Sequence, residues 1–177
     1  MKTFLKLTAV AVTAFALYVV VASAAQVTCP PYTVGGAKIV GTNDDDQIKG
    51  CKGNDQIQGK DGDDQIDAGE GNDQVDGGSG QDDITGGAGN DNVKGSGGND
   101  TIDGGSGNDV ISGGPGADKL TGGKGKDVIV GGSGNDTVFA ADKEKDKITC
   151  GSGDDKVTAD KKDTVSKDCE KVVRRKK

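Results

Sequence analysis

Gly77-Gly78-Ser79-Gly80-Gln81-Asp82-Asp83-Ile84-Thr85 runs straight into Gly86-Gly87-Ala88-Gly89-Asn90-Asp91-Asn92-Val93-Lys94 and Gly95-Ser96-Gly97-Gly98-Asn99-Asp100-Thr101-Ile102-Asp103. The same nonapeptide is written eleven times from Gly41 to Phe139 without a slipped residue. Its sixth position is always aspartate: Asp46, Asp55, Asp64, Asp73, Asp82, Asp91, Asp100, Asp109, Asp118, Asp127 and Asp136. Its eighth is always a branched aliphatic: Ile48, Ile57, Ile66, Val75, Ile84, Val93, Ile102, Ile111, Leu120, Ile129 and Val138. A period of nine with two positions this strict marks a repeat architecture, in which each unit buries its apolar face only by stacking on others.

Each repeat divides in two. The first six positions hold Gly, Asn, Asp and small residues, the chemistry of turns, because glycine supplies positive φ without steric cost. The last three alternate polar, apolar, mostly polar, as in Gln56-Ile57-Gln58 and Thr101-Ile102-Asp103. A three-residue strand of that pattern turns its middle residue inward and its flanks to solvent. Two turn–strand units make one coil, so repeat n is expected to stack on repeat n+2. A helical reading fails, because glycine recurs too often and no 3.6-residue period appears.

Composition alone points elsewhere. With 32 Gly, no His, no Trp, 31% apolar residues and a net charge of −7, the chain resembles a disordered acidic polymer. The fixed register argues against that: disorder gives no reason to hold aspartate and an aliphatic residue two apart eleven times. The charge is also unevenly spread. Residues 41–139 carry 20 acids and 7 bases, net −13, whereas residues 140–177 carry 9 acids and 12 bases, net +3. An acidic body repels nucleic acid and anionic lipid, and small cations are its natural partners.

The flanks are read from their own patterns. Residues 1–24 form a signal peptide: Lys2 and Lys6, an apolar run from Leu7 to Val21, and the small-residue site Ala22-Ser23-Ala24. That 15-residue run is short for a membrane span. The mature chain is therefore expected to be soluble, secreted and not inserted in a membrane. Residues 25–40 are read as an N-terminal cap over an open solenoid end. After Phe139 the register loosens: Ile148, Val157 and Val165 follow at spacings of 10, 9 and 8, each two residues after an aspartate (Asp146, Asp155, Asp163). Residues 140–158 are read as degenerate repeats and 159–177 as a C-terminal cap with a basic tail. Outward positions become apolar late in the array, at Val110, Val128, Val130 and Phe139. Either the C-terminal cap folds over them or they form a partner-binding patch.

Stacked sixth-position carboxylates would repel one another if left unneutralised. A hard divalent cation between them, completed by turn carbonyls, gives the all-oxygen shell of six or so ligands that calcium prefers, whereas magnesium demands tighter octahedral geometry. Transition metals would look for His, which the chain lacks. The pattern Gly-Gly-x-Gly-x-Asp-x-apolar-x resembles the repeat-in-toxin (RTX) nonapeptide, fitted throughout by Gly77–Thr85 and by Gly104-Gly105-Ser106-Gly107-Asn108-Asp109-Val110-Ile111-Ser112. The segment from Lys145-Asp146-Lys147-Ile148-Thr149-Cys150 to Asp168-Cys169-Glu170 is also similar to the closing part of bacterial exported hemolysin-type calcium-binding repeat proteins.

The resemblance implies an all-β parallel β-roll, a two-sheet right-handed β-solenoid. It implies Ca2+ held by the eleven sixth-position aspartates, with Asp155, and by turn carbonyls such as Gly78, Gly80, Gly87, Gly89, Gly105 and Gly107. Stacking n on n+2 gives five pairings on one edge and four on the other, hence nine candidate sites. Repeats one, four and nine depart from the pattern, with Asp44 for the fourth glycine, Ala68 for the first, and Pro115. Ordering so glycine-rich a chain is entropically costly, so the ions are expected to be structural and to drive folding.

Four cysteines suit an oxidising compartment and allow three pairings. Five or six coils, roughly 25 Å at about 4.8 Å per coil, separate Cys51 from Cys150, whereas a disulfide tolerates under about 7 Å between Cα atoms. Cys29–Cys51 and Cys150–Cys169 are therefore expected, one staple per cap. No enzyme is expected, because without His there is no imidazole for a triad or a zinc site. The sequence leaves room for a second role, a calcium-dependent adhesion module that binds envelope polysaccharide or a partner protein.

Overall fold

The computed structural model describes residues 19–21 and 35–175. Its strands are β1 (Val19–Val21), β2 (Lys38–Val40), β3 (Gln47–Lys49), β4 (Gln56–Asp61), β5 (Gln65–Glu70), β6 (Gln74–Ser79), β7 (Asp83–Ala88), β8 (Asn92–Gly97) and β9 (Thr101–Ser106). They continue as β10 (Val110–Pro115), β11 (Lys119–Lys124), β12 (Val128–Ser133), β13 (Thr137–Ala140), β14 (Lys147–Ser152), β15 (Lys156–Ala159), β16 (Thr164–Val165) and β17 (Lys171–Arg174). They alternate between two parallel sheets. One runs β1-β2-β4-β6-β8-β10-β12-β14-β16 and the other β17-β15-β13-β11-β9-β7-β5-β3. The n on n+2 stacking read from the period is thus the topology of a β-solenoid.

Register follows the aliphatic position. In one sheet Ile57, Val75, Val93, Ile111, Ile129 and Ile148 lie opposite one another in turn. In the other, Ile48, Ile66, Ile84, Ile102, Leu120, Val138 and Val157 do the same. These two columns are buried and face each other as a core one side chain deep from each sheet. Slipping either strand by one residue would expose its whole column, which is why the register is so firmly set.

The structure revises several expectations. Strands in the middle of the array span six residues, not three, because positions one to three of the next repeat extend the ladder: Gly105 pairs Gly123, and Ser106 pairs Lys124. Their burial reads exposed, buried, partly buried, buried, so the first-position glycine joins the aliphatic residue on the inner face. The coils also begin earlier than Gly41. Ile39 sits in the eighth-position column opposite Ile57, two residues after Ala37, which stands where later repeats carry aspartate.

At the other end, β16 pairs with β14 and β17 with β15, so the closing segment continues the stack. It therefore does not fold over the late apolar positions: Val110 is 45% and Val130 36% exposed. Cys150 is bonded to Cys169 with the Cα atoms 5.2 Å apart, as expected. Cys51 is disulfide-bonded, and its expected partner, Cys29, lies outside the described residues. Of the segment read as a signal peptide, only β1 is described, and it pairs with β2. No helix among the described residues is long and apolar enough to cross a membrane.

Candidate metal centre

The sixth-position aspartates are not at the surface of their turns. All eleven are at most 2% exposed, as are Asp146 and Asp155. Alternation explains this: positions six, eight and one of the following repeat point the same way, so each carboxylate is carried inward two residues before the aliphatic side chain. Burial on this scale leaves a charged group dependent on whatever the interior provides.

The interior provides half of what a carboxylate needs. Asp82 Oδ1 accepts the N–H of Asp64 at 2.9 Å, and Asp100 Oδ1 accepts that of Asp82 at 3.0 Å. On the opposite edge Asp91 Oδ1 serves Asp73, and Asp109 Oδ1 serves Asp91. The second oxygen has no donor. Oδ2 of Asp64, Asp73, Asp82, Asp91, Asp100, Asp109, Asp118, Asp127, Asp136, Asp146 and Asp155 is buried without a hydrogen-bond partner.

The cause lies in the turn itself. Neighbouring coils consume the donors of a typical turn: Gly80 N–H goes to Gly97 O, Gln81 N–H to Asp63 Oδ1, Asp82 N–H to Asp100 Oδ1 and Asp83 N–H to Asp64 O. None of these reaches Oδ2. What lies next to it is oxygen. A Cβ on Gly77 would overlap Asp82 Oδ2 and crowd the Gly95 carbonyl oxygen, and Gly41, Gly59, Gly86, Gly95, Gly104, Gly113 and Gly131 repeat the arrangement. The missing Cβ therefore leaves a cradle flanked by a carboxylate oxygen and a first-position carbonyl of the next coil on that edge. Ala68 puts a methyl group at the equivalent place in repeat four.

Electrostatics agree with an unfinished site. Burial pushes the carboxyls of Asp64, Asp73, Asp82, Asp109 and Asp118 up to about 6. The backbone N–H bond lowers them in part, and neighbouring carboxylates raise them again. Asp146 is pushed to about 7 by the same causes. Burial also raises Asp91, Asp100, Asp127 and Asp136. Either a proton or a cation relieves such a group. Among the described residues no three His, Cys, Asp or Glu side chains gather closely enough to hold a metal by themselves. A cation here would have to take backbone carbonyls as well, and hard all-oxygen donor sets of that kind suit calcium.

The carbonyls of Gly87, Gly89, Gly105 and Gly107 lie against the α-carbons of Gly105, Gly107, Gly123 and Gly125, one coil along the same edge. The positive φ of Gly105 (103°) and Gly107 (134°) opens that approach. The Gly80 carbonyl sits likewise against Gly98, and the Gly78 carbonyl beside Gly97. The first-position carbonyls, not singled out from the sequence, are the ones adjoining the partnerless Oδ2 atoms.

Two further features escaped the sequence reading. Position five forms an exposed ladder in which Asn54, Asn72, Asn90 and Asn108 each accept the N–H of residues 72, 90, 108 and 126. Its signal was the run of Asn and Asp just before the invariant aspartate. Asp146, though noted as keeping the two-residue spacing, was not placed among the ligands, because its ten-residue spacing hides a carboxylate as buried as the rest.

A parallel solenoid whose turns bury rows of incomplete oxygen sites has the geometry of a cation-binding repeat protein. Residues 35–138 match the family model of the RTX calcium-binding nonapeptide repeat, in overlapping segments 35–57, 40–75, 52–84, 76–111 and 103–138. More than half of the chain is covered, and the chain belongs to this family of calcium-binding repeats. A search of curated proteins gave no match.

Proposed function

We propose that the chain is an exported calcium-binding repeat protein in which Ca2+, taken up between stacked turns, drives a glycine-rich polymer to fold into a rigid roll. The observation that carries this is the row of eleven buried Oδ2 atoms without donors. A buried carboxylate left half satisfied costs on the order of several kcal/mol, and repeating that along the array opposes folding at neutral pH. When bound, calcium supplies positive charge and an oxygen-seeking coordination shell. The chain supplies buried sixth-position carboxylates, first-position carbonyls and glycines that leave room for the ion. At about ten times its dissociation constant, each ion adds roughly 1.4 kcal/mol to stability.

Export rests on the charged, apolar and small-residue pattern of residues 1–24 and on cysteines that are bonded rather than reduced. Calcium titration of the secreted form, following β content by circular dichroism together with ion count, tests the whole reading. The expected result is a disordered chain in chelator that gains β structure as several ions bind. A full β spectrum in chelator, or one or two ions per chain, would sink it.

A second role is favoured by one feature. An open groove of about 820 Å3 crosses the outer face of the first sheet, lined by Gln58, Lys60, Asp76, Lys94 and Ser112 among others, with glycines as its floor. Ser96 Oγ donates to Asp76 Oδ1 within it. Donors and acceptors side by side along such a groove suit a polyhydroxyl ligand such as an envelope polysaccharide. Retention on such polysaccharides with calcium, and release by chelator, is the expected outcome; equal retention without calcium would count against it.

A further inference from the structure

The carboxylates at the two ends of the array differ from those in the middle. Asp55 is fully satisfied by the chain: Oδ1 accepts the N–H of Ala37 and Oδ2 that of Cys51, both at 2.6 Å. Asp46 Oδ2, the oxygen that is bare in the middle turns, accepts the N–H of Thr42 at 2.6 Å and its hydroxyl at 3.0 Å, while its Oδ1 is buried without a partner. At the far end, Asp163 accepts from Asp146 through Oδ1 and from Asp160 through Oδ2, at 3.2 and 2.7 Å. Asp155 N–H is met not by another aspartate but by Glu170 Oε2.

Backbone conformation at the second position separates the two kinds of turn. From repeat three through repeat eleven it has positive φ, even where it is Lys60 (98°) or Ser96 (79°). Thr42 and Cys51 are not among the positive-φ residues, and their N–H groups turn onto the carboxylate instead. A carboxylate that already holds such donors in a buried turn gains little from a cation and would have to surrender them to bind one.

We infer that calcium occupies a band displaced toward the C-terminus, bounded by Asp64 and Asp155, with Asp146 as one of its ligands. On this inference the turns of Asp46, Asp55 and Asp163 are ion-free end closures. The inference rests on the calcium reading above and adds which turns carry it out. Pairing only carboxylates with a partnerless Oδ2 gives 64/82, 82/100, 100/118, 118/136 and 136/155 on one edge, and 73/91, 91/109, 109/127 and 127/146 on the other. Before Asp73, Asp146 and Asp155 the first position is Ala68, Ala140 and Cys150 rather than glycine, so these three carboxylates are included for the partnerless Oδ2 alone. Two of the pairings, 136/155 and 127/146, extend past the eleven nonapeptides, while 46/64 and 55/73 drop out. Cys51 donates its N–H to the closed Asp55 turn and is disulfide-bonded, whereas Cys150, bonded to Cys169, has its carbonyl beside Asp136 Oδ2 within the band.

Ion count by equilibrium dialysis against calcium alone tests this on the full chain and three variants. Asp55→Asn is expected to keep the wild-type count, and Asp146→Asn to lose one ion. Thr42→Gly, which frees Asp46 Oδ2 by allowing positive φ, is expected to gain one. Loss of an ion in Asp55→Asn, or an unchanged count in Asp146→Asn, overturns the inference while leaving calcium binding intact. If Asp55→Asn does not fold, Thr42→Gly decides, and an unchanged count there overturns it as well. Absence of bound calcium from the wild type would instead defeat the calcium reading itself.

Discussion

Two columns run side by side through the interior of this roll, and both are buried to nearly the same degree. The aliphatic column at position eight finds all its contacts in the chain, from Ile39 to Val157. From Asp64 to Asp155 the aspartate column two residues earlier finds only half, one oxygen on a backbone N–H and the other on nothing. The first column sets topology and register. On the proposed function, the second makes the fold conditional on an ion from outside the chain. Only the first of the two is complete within the chain.

The comparison breaks most readily through pH, which acts on at least ten carboxyls at once. Their folded values are raised, to about 6 for Asp64, Asp73, Asp82, Asp109 and Asp118 and about 7 for Asp146, against an unfolded value near ~4. The folded state therefore holds more protons than the unfolded chain between about pH 4 and 7, and its stability falls as pH rises through that window. In excess chelator the β signal is expected to grow on acidification from neutral pH toward about 5. With calcium bound, the same acidification is expected to release ions. Chelated protein that gained β structure as pH rose would contradict the assignment of an incomplete polar column.

Next in size is the apolar column. Ile111→Ala removes a fully buried side chain and is expected to cost about 2–5 kcal/mol, read as a lowered denaturation midpoint in saturating calcium with the ion count unchanged. A lost ion would mean that the two columns are not separable. The smallest effect sharpens the turn geometry. Lys60 and Ser96 hold positive φ where neighbouring repeats have glycine, a conformation that costs an L-residue roughly 1–2 kcal/mol. Lys60→Gly, offset in part by the entropy that glycine adds to the unfolded chain, is expected to stabilise the calcium-loaded roll by up to ~1 kcal/mol. A clear loss of stability would show that the Lys60 side chain contributes more than its backbone strain costs.

Much of this was legible in the residues. The period, the inward aliphatic position and the stacking of alternate repeats follow from Ile, Val and Leu recurring at a spacing only a solenoid can bury. The six-residue strands were not legible, because Gly104-Gly105 carries no strand preference and acquires its ladder only from the coil beside it. The coil of Ile39 was hidden by Ala37, which keeps the position and drops the carboxylate. At Asp55 the limit is different in kind. Sequence shows an aspartate like the others, and only the direction of the Cys51 N–H reveals that it is already satisfied.

Calcium located by anomalous diffraction in crystals of the loaded protein tests the central claim most directly. The account predicts ions at about 2.3–2.6 Å from Oδ2 of buried aspartates such as Asp82, Asp100 and Asp118. Ions found only on exposed acids such as Asp61 and Asp83, with every buried Oδ2 still bare, would contradict it.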